Sequence, residues 1–230
     1  MVRPLFQHAH GHGSRLSDNV RDSLSWWHDV LDRRVVELRK FKASVQAPVV
    51  MWADARGSPP RLAAVALIND QWFFCDMEPS VETLRRARGV PVRGAPSRSA
   101  RPPRRRQFSQ RADSQITGLE ILAVALGLCT WESSLKGRDL IVFSDNTAAE
   151  AILNKGCASA SDHRALAHVF WSAIGALDMR VLIERVPTEV NIADLPSREE
   201  YDLLARLGAR RTVAGLSRVF VSPARQRGFR

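Results

Sequence analysis

Residues 139–153 read DLIVFSDNTAAEAIL, and the fold turns on how this stretch ends. Leu140, Ile141, Val142 and Phe143 form a continuous apolar run of the kind that fills a buried strand. The run stops on Asp145, and NTAAEAILNKG (146–156) follows at once as a helix, with Gly156 placed to close it. A carboxylate at the mouth of a core strand is costly unless something positive sits on it. Asp145 therefore either caps the following helix or belongs to a group of carboxylates that holds a cation.

Upstream, PVVMWADA (48–55), RLAAVALI (61–68) and QWFFCDM (71–77) predict a meander of strands, with turns at GSPP (57–60) and Asn69-Asp70. ITGLEILAVALGLCTWESSL (116–135) predicts a long apolar helix, and SDHRALAHVFWSAIGAL (161–177) another, capped by Ser161. MRVLIERV (179–186) reads as a last strand, followed by helical sequence from about Asn191 to Leu207. The sum is an α/β fold: a five-stranded mixed sheet, three antiparallel strands and then two more, flanked by helices.

The chain has 230 residues, 45% of them hydrophobic and 25% charged, as expected of a globular protein. No apolar run suits a membrane span, and MVRPLFQHAHGHGS lacks the core of a secretory signal. Cys75, Cys129 and Cys157 are far apart among apolar neighbours, and read as reduced, buried thiols of an intracellular protein, cytoplasmic or nuclear. The net charge of +10 is unevenly placed. Residues 85–111 carry ten arginines, four prolines and no acid, and 207–230 add six arginines, again with no acid. Such segments suit a polyanion, and the triplet Arg104, Arg105, Arg106 is the densest candidate for nucleic-acid contact. The expected organisation is a disordered N-terminus and lead-in helix over 1–45, a main domain over 46–206 with the 85–111 insertion, and a basic tail over 207–230.

Four acids sit awkwardly in the hydrophobic pattern: Asp54 ends the first strand, Glu120 lies inside the long helix, Asp145 ends the fourth strand, and Asp194 sits in VNIADLPS. Each alone has an ordinary explanation as a turn, a cap or an outward-reaching side chain. Brought together by one sheet, they would repel one another and need cations. All-oxygen ligands select hard ions such as Mg²⁺ or Mn²⁺. Two such ions about 4 Å apart suit in-line phosphodiester cleavage.

With acids at WADA, LEIL, FSDN and NIAD in this order of strands and helices, residues 46–206 resemble the ribonuclease H domain of retroelement reverse transcriptases. The most specific pieces are SDNTAAEAIL and RVPTEVNIADLPSREE; LSWWHDVL is similar to the segment that joins polymerase to ribonuclease H. The resemblance implies a ribonuclease H-like fold and hydrolysis of the RNA strand of an RNA–DNA hybrid. Asp54, Glu120, Asp145 and Asp194 would be both the catalytic residues and the ligands of two Mg²⁺ ions, for which Mn²⁺ could substitute. Main chain around Ala55-Arg56-Gly57 and the side chain of Asn146 would read 2′-hydroxyls, with Arg56 and Thr147 as backbone contacts. It further implies a monomeric domain whose polymerase partner lies elsewhere in a parent polyprotein.

Two departures stand out. The loop PTEVNI lacks the histidine that cellular members carry before the last acid. Pro196 follows Asp194 closely, so a short turn at 191–195 is expected, with the main helix starting near Arg198 behind a Ser197–Glu200 capping box. The competing functions are an integrase or nuclease of the same fold acting on DNA, and a non-catalytic nucleic-acid-binding relic.

Overall fold

The computed structural model describes residues 46–80, 83–84 and 112–216, with positions 16, 20, 21, 24, 25 and 28 of the N-terminal segment. The chain divides into two compact units, 1–43 and 44–230. In the first, Val20, Arg21, Leu24, Ser25 and His28 are helical, and the rest of the expected lead-in helix lies outside the described residues. The insertion at 85–111, with Arg104, Arg105 and Arg106, lies outside the described residues, as does most of the C-terminal tail.

The second unit is built on β1 (Val49–Gly57), β2 (Pro60–Ile68) and β3 (Gln71–Met77). Asn69 and Asp70 turn the chain between β2 and β3 with left-handed backbone (φ 51° and 60°), which these two residue types tolerate. Then come α1 (Ala112–Thr130), α2 (Glu132–Leu135), β4 (Asp139–Ser144), α3 (Thr147–Lys155), α4 (Ser161–Ala176) and β5 (Arg180–Arg185). The chain continues through a 3₁₀ turn (Thr188–Val190), α5 (Asp194–Ser197), α6 (Asp202–Arg206) and β6 (Arg210–Arg211). The sheet order is β5-β4-β1-β2-β3-β6, with β1, β2 and β3 antiparallel, β4 parallel to β1, and β5 parallel to β4. This is the mixed sheet the sequence predicts, three antiparallel strands and then two more, flanked by helices.

α1 is apolar all round because it is surrounded: β1 and β2 lie on one side, α3 and α4 on the other. Gly127 permits the close approach, since a Cβ there would collide with Met51 Sδ and come within 3.2 Å of Ala64 Cβ. The opposite sheet face carries a smaller cluster, in which Val65, Phe74, Ala193 and Leu204 are buried beside Trp52 and Trp72.

Several expectations need correction. Among the described residues the sheet has six strands, not five: Arg210–Arg211 pairs with β3, so the supposed tail begins as sheet. The capping box does not form, because Ser197 ends α5, Glu199 turns left-handed (φ 67°), and the next helix starts only at Asp202. The last helical stretch is consequently broken into α5 and α6, with Pro196 tolerated in the first turn of α5. Ala160, not Ser161, holds the cap position of α4. Of the cysteines only Cys75 is buried; Cys129 is half-buried and Cys157 exposed.

Candidate metal centre

The parallel register of β1 and β4 builds the site. Trp52 stands opposite Phe143, and continuing that register brings Asp145 beside Asp54. The helix behind β4 is capped by Asn146, whose Oδ1 accepts from Ala149 N at 2.9 Å. Capping thus does not occupy the Asp145 carboxylate. Glu120 comes from the other side of the sheet on α1, with Ile116 packed near Gly57 at the end of β1. Asp54, Glu120 and Asp145 each offer an oxygen within 4.8 Å of the others. Three distant segments thus meet at one point.

Asp54 and Glu120 are 6% and 4% exposed, so their charge is poorly hydrated. Burial raises the Asp54 carboxyl to about 6; Asp145 and Asp194 push it the same way, and Ser197 and Arg198 oppose. Burial, followed by the charges of Asp54 and Asp145, holds Glu120 well above the usual carboxylate range, although the Ala55 main chain opposes this. Glu120 Oε2 is buried and has no hydrogen-bond partner among the described residues. Three crowded carboxylates with an orphaned oxygen and an all-oxygen donor set fit a hard divalent cation.

Asp194 lines the same open cleft of about 470 Å³ but stands outside the trio. Its Oδ1 accepts from Arg198 Nε at 2.7 Å, a contact open to solvent. Asn191 anchors its segment, donating from Nδ2 to Ala53 O (3.2 Å) and accepting from Ala193 N (3.3 Å). Arg56 and Asn146 also line the cleft, whereas Gly57 and Thr147 do not form its wall. Arg198, Ser197, Thr188 and Ser58 line it too; the sequence marks Ser197 and Arg198 only as a helix start, and none of the four as a site residue. The spacing of Asp194 and Arg198 could have flagged that pair; nothing local marks the other three as site residues.

No protein-family model matches the chain, and no curated protein does so either. Among solved structures, ribonuclease H1 from the halophilic archaeon Halobacterium salinarum NRC-1 aligns at 15% identity and a TM-score of 0.44, covering 68% of this chain and 98% of that one.

Proposed function

We propose that the chain is a metal-dependent endonuclease that hydrolyses the RNA strand of RNA–DNA hybrids, as a domain of a retroelement reverse transcriptase polyprotein. The observation that carries this reading is the convergence of Asp54, Glu120 and Asp145, with the Glu120 Oε2 left unpartnered in a buried position. Asp54, Glu120 and Asp145 would hold the cations, with Asp194 as a looser ligand. Bound Mg²⁺ or Mn²⁺ would acidify a water and steady the departing oxygen during in-line cleavage, leaving a 3′-hydroxyl and a 5′-phosphate. The residues themselves position the strand. Main chain at Ala55 and the Asn146 amide, whose Oδ1 is held by the helix cap, face the cleft where a 2′-hydroxyl would be read. Arg56 at the rim offers its guanidinium to the backbone. Arg104, Arg105 and Arg106 would add grip from the insertion, and the parent's polymerase domain would deliver the hybrid.

The test is cleavage of a labelled RNA–DNA hybrid with Mg²⁺, comparing the native chain with Asp145→Asn and using duplex DNA and duplex RNA as controls. Cutting confined to the hybrid's RNA strand and lost in the variant is the expected result. Cutting of DNA would move the chain to the integrase-like reading, and binding without cutting would mark a relic.

A further inference from the structure

Beside the carboxylates lies an arrangement that the metal centre does not use. Arg56 and Asp54 are two residues apart on β1, so they point to the same face of the sheet, roughly 7 Å apart along the strand. Arg56 Nη2 donates to Glu199 Oε2 (3.3 Å), and Arg61 Nη2 donates to Glu199 Oε1 (2.6 Å). One carboxylate thus bridges two guanidiniums at the edge of the cleft. Glu199 reaches them from left-handed backbone (φ 67°), an uncommon state for a residue with a side chain.

Neither arginine depends on Glu199 for its placement. Arg56 Nε donates to Pro59 O at 3.0 Å, and Arg61 Nη1 donates to the fully buried Asp76 at 2.6 Å. Arg61 Nε is buried without a partner among the described residues. The arginine side chains are 24% and 18% exposed, whereas that of Glu199 is 50% exposed. A half-exposed carboxylate on a surface ion pair is weakly held. Two guanidiniums aimed at one point favour a phosphate, whose oxygens match their fork geometry.

We propose that Arg56 and Arg61 form a backbone-phosphate subsite that Glu199 closes in the free protein and vacates when a nucleic-acid strand enters the cleft. The proposal rests on the functional reading above, which already turns Arg56 to a nucleic-acid backbone, and adds Arg61 as its partner and Glu199 as the gate. Glu199 is then a competitor held in place until a stronger anion arrives, and it sets a threshold against weakly bound polyanions.

The test is anisotropy binding of a labelled RNA–DNA hybrid over a salt series in EDTA, with the full chain, Glu199→Gln, Arg56→Ala, the double variant, and Glu200→Gln as a charge control. Glu199→Gln should tighten binding roughly threefold to tenfold and steepen the dependence of log K on log salt by about one, as for one added phosphate contact. Arg56→Ala should erase that gain, and Glu200→Gln should not reproduce it. Thermal unfolding of each variant identifies any that lose the fold, and Arg61→Lys then serves as a second route to weakening the subsite. A gain that persists without Arg56, an equal gain in Glu200→Gln, no gain, or no binding by any variant overturns the gate. Cleavage with Mg²⁺, run in parallel, separates the two readings. Cutting without a Glu199 effect keeps the hydrolase and removes the gate, while a Glu199 effect without cutting does the reverse.

Discussion

Asp54 and Asp76 stand in one row of the sheet, each directly opposite Ala63, and both are buried. Their surroundings are opposite. Asp76 accepts from Arg61 (2.6 Å), Arg211 (2.8 Å) and the Tyr201 hydroxyl (3.2 Å), so its charge is answered from within the chain. Asp54 faces Glu120 and Asp145 within 4.8 Å, and the Arg198 charge that acts on it is engaged by Asp194. The same residue type, at the same depth in the sheet, is in one place a structural rivet and in the other an electrostatic deficit. A deficit of this kind is retained where a ligand makes it good.

The sharpest contrast concerns chemistry. Asp54→Asn should lower hybrid cleavage by roughly a thousandfold or more, because several kcal/mol of transition-state stabilisation would go with the cation. Metal-free melting temperature should rise in the same variant, since one of the three repelling charges is gone. Asp76→Asn should do the reverse. It should destabilise the fold by about 2–3 kcal/mol in urea unfolding, below the value for a fully buried pair because Arg211 is 59% exposed. Cleavage per folded molecule should change little.

A subtler test is pH. The Asp54 carboxyl is raised in the fold, from an ordinary 3.8 to about 6. The folded state therefore binds the proton more tightly than the unfolded chain does. The resulting stability is fully present below about pH 4 and lost as pH rises through about 6. Without divalent ions, unfolding free energy should fall by about 2 kcal/mol across that window on this account, and Asp54→Asn should flatten the slope. Mg²⁺ should stabilise the protein more above pH 6 than below it. The smallest expected effect lies in the support beneath the site. Gly127→Val should cost about 1–2 kcal/mol by lifting α1 off Met51 and Ala64, with a partial loss of metal affinity as Glu120 shifts.

Much of this contrast could be read in the chain, and its other half could not. β4 and α3 were legible because Leu140–Phe143 and the residues after Asp145 change period abruptly, and Gly156 takes the left-handed position that ends α3 (φ 63°). Three of the four suspect acids do converge, since each interrupts an otherwise apolar element. Asp76 interrupts one too, in QWFFCDM, but its arginines come from positions 61 and 211, and no local pattern links them. The break after α5 was hidden for a different reason. Ser197 and Glu200 have the spacing of a capping box, yet Ser197 closes α5 instead of opening a helix, its hydroxyl donating back to Asp194 O. The small β6 is a strand only because β3 offers it an open edge.

That last pairing has a bearing on how the molecule behaves in a crowded solution. β3 is seven residues long and carries Trp72, Phe73 and Phe74, a run with strong self-pairing tendency if its outer edge were bare. β6 covers part of that edge, and Thr212 N donates to Phe74 O at 2.8 Å just beyond it. Being only two residues long and made of arginines, it leaves a short, charged margin that other chains have little reason to join. The arginine that seals Asp76 also guards the sheet against aggregation.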